Sequence, residues 1–266
     1  MVRRRLDAEL VRRHLAPSRQ QAQDLIREGL VTVGGLPADK PSRQVDGSEA
    51  LAIKASPEPF VSRAGRKLQL GLERFQIDPT GLTALDAGAS TGGFTDCLLQ
   101  ARAAHVHAVD VGHDQLAWSI RNDPRVTVYE HCNVRHLTPD DLGGTVGISV
   151  CDVSFISLTT VGPAIASCMS SGASGVWLIK PQFEAGPARV GKGGIISDPA
   201  IHVEVINEVT TRLADLGITI VDVAGSPIRG AKGNTEFLAH IRLDGDARMV
   251  TPAQIASVVK DAHTPG

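Results

Sequence analysis

From about residue 60 the chain alternates short apolar runs with stretches of helical periodicity. Leu82 to Asp86, Val106 to Val111, Val126 to Tyr129, Ile148 to Val153, Gly175 to Ile179, Ile218 to Val223 and Phe237 to Leu243 read as strands. Gly92 to Ala101, Gln115 to Arg121, Leu158 to Met169 and a longer stretch from Asp198 to about Gly217 read as helices. Strands that alternate with helices predict an α/β fold, here a seven-stranded, mostly parallel sheet with helices on both faces. No helix separates the last two strands, so one of them is expected to run antiparallel.

The first 55 or so residues carry a different pattern. Leu6, Leu10 and the pair Leu15 and Ala16 recur at helical spacing, and Pro17 is expected to stop that helix. Ser18 reads as the N-cap of a second helix with Ala22, Leu25 and Ile26 on its inner face, and Gly29 as its end. Leu30, Val31 and Val33 form a candidate strand, followed by a Gly34-Gly35 turn. The expected organisation is a small α+β domain over 1–56, a linker over 57–62 marked by Pro57 and Pro59, the α/β domain over 63–246, and a C-terminal helix or tail over 247–266.

Of the 266 residues, 42% are hydrophobic and 21% charged, which suits a folded chain and excludes wholesale disorder. The net charge of -2 hides a contrast: residues 1–67 hold 13 Lys and Arg against 8 Asp and Glu, and the remainder holds 14 against 21. A cationic front suggests a polyanion-facing module on a more acidic body. Arg3, Arg4, Arg5, Arg12, Arg13 and Arg19 lie in or beside the two predicted helices, with Arg27 near the end of the second. Guanidiniums on a shared face would grip a phosphate backbone; a plain solvated surface is the competing reading. Cys97, Cys132, Cys151 and Cys168 form no CxxC pair, so neither a metal site nor a disulfide framework is expected, and a cytoplasmic setting fits. The charges that follow Arg3 to Arg5 are not those of a signal peptide. Val153 to Ile179 is 27 residues without a charge, but 12 of them are Ser, Thr, Gly or Pro, which predicts buried core and no bilayer span.

The string DAGASTGGF, Asp86 to Phe94, directly follows the first predicted strand of the body. Its glycines allow a tight turn and close backbone approach to a ligand at a helix N-terminus. It is neither GxGxxG nor a phosphate loop. Asp110 follows about 20 residues past the loop at the second strand's end, as ribose-binding acids do in nucleotide folds. Four more charged residues fall at element ends or in the first helix of the body: Lys67 in SRAGRKL, Asp152 in CDVSFIS, Lys180 in WLIKPQFE and Glu236 in GNTEFL. Burial favours the neutral form of an amine, and a neutral amine can take a proton from a weak acid. Lys180, after the apolar Val-Trp-Leu-Ile, is the candidate for that role, with Asp152 and Glu236 orienting it and Lys67 holding substrate; a surface salt bridge is the competing reading for each one alone. The 9 aromatic residues leave Phe155 or Phe183 as stacking candidates, with core packing the preferred reading of both. Residues 184–198, rich in glycine and carrying Arg189 and Lys192, read as a mobile lid or else a plain surface loop.

These strings resemble known families. RLDAELVRRHLAPSRQQAQDLIREGLVTVGG is similar to the RNA-binding domain named after the fourth small-subunit ribosomal protein, on Arg5, Leu6, Asp7, Leu10, Ser18, Arg19, Ala22, Leu25, Ile26 and Gly29, which implies an S-four-like fold that binds structured RNA. An acid followed by GxxxGG resembles the S-adenosylmethionine site of class I, Rossmann-like methyltransferases. The resemblance implies that Asp86, Gly88, Ser90, Thr91, Gly92, Gly93 and Phe94 hold the amino-acid end of the cofactor, Asp110 its ribose hydroxyls and Asn133 the adenine edge. The order Lys67, Asp152, Lys180, Glu236 is similar to the tetrad of FtsJ-like ribose 2′-O-methyltransferases. DAGASTGGFTD, DVSFISL, KPQFEAG, VGKGGIISDP and the final GN-x-EFL look like the TlyA family, which joins both domains. The resemblance covers nearly all of the chain except the last twenty or so residues; Ala231 stands where relatives often have Pro. It implies 2′-O-methylation of cytidine in ribosomal RNA of the small or large subunit, with rRNA or ribosomal subunits as partners, no membrane, and a monomer or weak dimer. The rival readings are a pseudouridine synthase, which would need no DAGASTGG loop, a haemolysin-like membrane-active protein, and a non-catalytic ribosome-binding factor.

Overall fold

The computed structural model describes residues 3–16, 18–27, 29–54, 59–245 and 247–264. The expected helix stop at Pro17 and the linker residue Pro57 lie outside these. The chain divides into two compact units, 1–59 and 60–266.

In the first unit, β1 (Arg4–Arg5) leads into α1 (Leu6–Arg12), followed by α2 (Arg19–Arg27), β2 (Val31–Val33), β3 (Leu36–Pro37), β4 (Gln44–Val45) and β5 (Leu51–Ile53). The apolar positions at helical spacing do what the pattern predicts: Leu6, Leu10, Ala22 and Ile26 pack with Val31, Val33 and Val45 into one small core. Ser18 Oγ accepts from the Gln21 backbone N–H at 3.2 Å, and Gly29 takes φ +71°, so cap and stop are both built as the residue types suggest. β2 pairs antiparallel with β3 across the Gly34-Gly35 turn and with β5 on its other side.

The second unit begins with α3 (Ala64–Phe75) and continues through β6 (Thr83–Ala87), α4 (Gly93–Gln100), β7 (His105–Val109), α5 (Trp118–Arg121), β8 (Val126–Tyr129), β9 (Val146–Cys151), α6 (Leu158–Ser167), β10 (Met169–Ile179), α7 (Pro181–Glu184), α8 (Pro199–Asp215), β11 (Thr219–Gly225), β12 (Phe237–Arg242) and α9 (Pro252–His263). Among the described residues seven strands form one sheet in the order β11-β12-β10-β9-β6-β7-β8. All neighbours run parallel except β12, which is antiparallel to both β10 and β11. The central strands β9 and β10 are largely apolar on both faces because each face is covered. Along β10, Val176 and Leu178 pack into the core under α3 and α4, while Trp177 and Ile179 pack into the core under α6, α8 and α9.

Two elements differ from the pattern. β10 starts at Met169, six residues before the predicted Gly175, because Met169 pairs with Val146 and a bulge with Gly172 at φ +74° absorbs the irregular segment. The helix expected from Gln115 starts only at Trp118, because 110–117 is a loop tied back by Ala117 N–H to Thr91 O at 3.0 Å. The charge contrast also changes. Arg63, Arg66 and Lys67 belong to the second unit, so residues 1–59 hold ten basic against eight acidic residues.

Candidate active site

The C-terminal ends of the parallel strands converge on one edge of the sheet. β9 delivers Asp152 and β10 delivers Lys180. β12 runs the other way, so its beginning, preceded by Glu236, reaches the same edge. α3, packed on one face of the sheet, contributes Lys67 from its first turn. The four form a line of alternating charge. Lys180 Nζ lies 2.6 Å from Asp152 Oδ1, Lys67 Nζ lies 3.6 Å from Asp152 Oδ2, and Lys67 Nζ donates to Glu236 Oε2 at 2.6 Å. Lys67, Lys180 and Glu236 are buried. Removing one member would strand an unpaired buried charge, which is costly. The Asp86 carboxyl, fully buried one strand away, is pushed up to about 7 by burial, offset in part by Thr95 Oγ1, which donates to it at 2.6 Å; its Oδ1 has no partner among the described residues.

The glycine loop lies beside this line. Gly88 has φ +88°, and a Cβ there would sit 2.7 Å from Asp152 O; a Cβ on Gly93 would meet Ser62 Oγ. These glycines leave open a cavity lined by Ala89, Ser90, Thr91, Phe94, Asp152 and Lys180. The Asp110 carboxylate is held by two backbone N–H groups, Ser90 to Oδ2 at 2.8 Å and Gly112 to Oδ1 at 2.7 Å. Each oxygen keeps a further lone pair for a ligand hydroxyl. Beyond Asp110 a recess is walled by Gln115, Leu116, Val128, Tyr129 and Glu130. None of these five was marked in the sequence; the signal available was their position at the end of β8 and in the loops after β7 and β8. Asn133 does not line that recess, and its side chain accepts from Arg135 N–H. Asp86 lies behind the loop and does not line the cavity.

An open cleft lies on the other side of Lys180, with Arg63, Lys67, Phe155, Phe183, Arg229 and Glu236 in its walls. Phe155, expected to be core, is 89% exposed at φ +64°, its ring 4.9 Å from that of Phe183. The expectation fails because the apolar residue sits on a tight turn between β9 and α6, where no core reaches it. Segment 184–198 is laced down: Arg189 pairs with Glu208 at 2.7 Å, Asn234 Nδ2 donates to Gly194 O, and Asn234 Oδ1 accepts from Ile196 N–H. The segment is thus tied to α8 and to the residues just before β12.

In the first unit the arginines divide by partner. Buried Asp7 accepts from Arg5 Nη2 at 2.8 Å, Arg19 Nε at 3.3 Å and Gln23 Nε2 at 3.0 Å; buried Glu9 accepts from Arg12 Nη2 at 2.6 Å and Arg13 Nε at 2.8 Å. These guanidiniums hold both carboxyls at about 2. Arg5, Arg12 and Arg19 remain partly exposed, whereas Arg13, 21% exposed, donates to the carbonyls of Glu49 and Asp46 and braces the unit. Arg3, Arg4 and Arg27 are exposed.

A doubly wound sheet whose edge gathers a glycine loop, a carboxylate held by two backbone N–H groups and alternating lysines and carboxylates is the layout of a methyltransferase. An FtsJ-like methyltransferase model matches residues 60–243, and an S4 domain model matches 4–51. The chain belongs to the TlyA family of FtsJ-like methyltransferases. It is 51% identical to the "16S/23S rRNA (cytidine-2'-O)-methyltransferase TlyA" of Mycobacterium tuberculosis, over 92% of this chain and 91% of the relative. It is 40% identical to "Hemolysin A" of Brachyspira hyodysenteriae, over 89% of this chain and 98% of that one. A solved structure of a candidate hemolysin from Streptococcus thermophilus superposes with a TM-score of 0.80 at 39% identity, over 99% and 96% of the two chains. Among the described residues no helix is long and apolar enough to cross a membrane.

Proposed function

We propose that the protein methylates the ribose 2′-hydroxyl of cytidine in ribosomal RNA, using S-adenosylmethionine. The observation that carries this reading is the line Lys180, Asp152, Lys67, Glu236, set between a glycine-loop cavity and an open cleft. When bound, the cofactor supplies an electrophilic sulfonium methyl, and the C–S bonding pair stays on sulfur. Gly88 to Gly93 bring bare backbone against its amino-acid end, Asp110 accepts from its ribose hydroxyls, and Leu116, Val128 and Tyr129 flank its base. Asn133 leaves the adenine role to those walls. Asp86 supports the loop from behind through Thr95.

On the cleft side, Lys180, once it has released its own proton, takes the proton of the 2′-hydroxyl. The ammonium that forms is stabilised by Asp152 at 2.6 Å. Lys67 is neutralised mainly by Glu236, which leaves Asp152 free to serve Lys180. The exposed Phe155 ring offers a stacking face for the target base or its neighbour. In the first unit Arg3, Arg4, Arg5, Arg12, Arg19 and Arg27 contact phosphates with Ser18 at the second helix's start, while Arg13 acts through the fold.

The test is incubation of the purified chain with ribosomal RNA or isolated subunits and isotopically labelled cofactor, followed by nucleoside mass spectrometry. Labelled 2′-O-methylcytidine is the expected product. Label absent from every ribosomal substrate, or found on a base, would overturn the proposal.

A further inference from the structure

Among the described residues, three side chains line both the glycine-loop cavity and the open cleft: Ala64, Ser154 and Lys180. A methyl group that passes from one space to the other passes this junction. Ala64 has no functional group, and Lys180 has been given its role. We infer that Ser154 is a positioning residue that aims the Lys180 amine across the junction. The inference rests on the methyl-transfer reading above and deepens it.

The argument is the geometry at Nζ. Lys180 Nζ donates to Ser154 Oγ at 2.9 Å and lies 2.6 Å from Asp152 Oδ1. An alkylamine nitrogen carries three positions besides its carbon: three N–H bonds when charged, two N–H bonds and a lone pair when neutral. Staggering about the Cε–Nζ bond fixes these three directions relative to each other. The Asp152 carboxylate holds the nitrogen by charge, without a formed hydrogen bond to Oδ1, so the bond to Ser154 Oγ is the directional contact at Nζ. It fixes one N–H along the line to Ser154, and the other two positions then follow from the staggered geometry. Without it, rotation about Cε–Nζ and the flexible four-carbon stem would spread the amine over further orientations.

The surroundings favour this role over a packing one. Ser154 is exposed, so loss of its hydroxyl opens no core cavity. It directly precedes Phe155, whose positive φ turns the chain and leaves Ser154 facing both spaces. Ser154 follows Asp152 by two residues, so one short segment supplies both groups that hold the lysine nitrogen.

The experiment compares the full-length wild type, Ser154→Ala and Ser154→Thr for transfer of labelled methyl to ribosomal RNA under saturating and limiting RNA. Ser154→Ala is expected to lower kcat by about 10-fold, the order lost when a reacting group is no longer oriented. KM for RNA should stay near the wild-type value, with an unchanged Tm. Ser154→Thr, which keeps the hydroxyl, should restore most of kcat. An active wild type with an equally active Ser154→Ala would overturn this inference alone. So would a loss confined to KM, or a Thr variant as slow as the Ala variant. A wild type that transfers no methyl would remove the methyl-transfer reading itself, and this inference with it.

Discussion

The buried carboxyl of Asp86 makes stability depend on pH in an unusual direction. Burial lifts it to about 7 in the folded chain, whereas an aspartate in an unfolded chain titrates near ~3.9. Between those values the folded protein retains a proton that the unfolded chain has released. Stability therefore falls as pH rises through this window and levels off above it. Each pH unit corresponds to roughly 1.4 kcal/mol, so the window spans about 4 kcal/mol. Asp86→Asn removes the titration, and its amide oxygen can still accept from Thr95. Its new N–H2 adds a cost that does not vary with pH. Urea unfolding of the chain without added methyl donor, across about pH 5 to 8, measures the difference. Both tryptophans, Trp118 and Trp177, lie in the second unit, and Trp177 is fully buried, so fluorescence reports on the unit that contains Asp86. The wild type should lose stability relative to Asp86→Asn as pH rises. Parallel profiles for the two proteins would refute the reasoning.

Lys180→Ala should lower methyl transfer by about 10² to 10⁴-fold with cofactor affinity retained by calorimetry; a wild-type rate would remove Lys180 as the base. Gly88→Ala forces a Cβ to 2.7 Å from Asp152 O at φ +88°, and should cost ~1–3 kcal/mol in thermal unfolding together with cofactor binding. Arg13→Ala should destabilise the first unit by about 1–3 kcal/mol through its lost carbonyl contacts, whereas Arg12→Ala should chiefly weaken RNA binding and flatten its salt dependence by about one charge in filter binding. Deleting residues 1–55 should weaken RNA affinity and its salt slope while leaving cofactor affinity intact; an unchanged slope would contradict the assignment of phosphate contacts to this unit.

Much of the fold was legible because local periodicity and tertiary burial agree. Val126 to Tyr129 is a strand at the predicted bounds, and the reversal expected in the last strand pair is found in β12. Asp152, Lys180 and Glu236 could be singled out because each adjoins a strand end, where open sheets expose side chains to ligands. The recess residues Gln115 and Tyr129 could not: Gln115 sits in a loop whose path is set by contacts such as Ala117 with Thr91, and Tyr129 closes β8 as an ordinary strand residue. Phe155 misleads because apolarity argues for burial, while its φ of +64° is a property of the turn and invisible in composition. Arg12 and Arg13 are neighbours of equal charge; only the carbonyls of Asp46 and Glu49, more than thirty residues away, make one of them a brace.

The hydrogen bond between Lys67 and Glu236 spans 169 residues. One partner leaves the ribosome near the start of the catalytic unit and the other near its end. A nascent chain that lacks β12 has Lys67, Asp152 and Lys180 without Glu236, two cations against one acid. The line is neutral only after the last strand has threaded between β10 and β11. Assembly of the line thereby waits for the last strand, and a chain stopped short of it carries an unbalanced charge where the full sheet carries its chemistry.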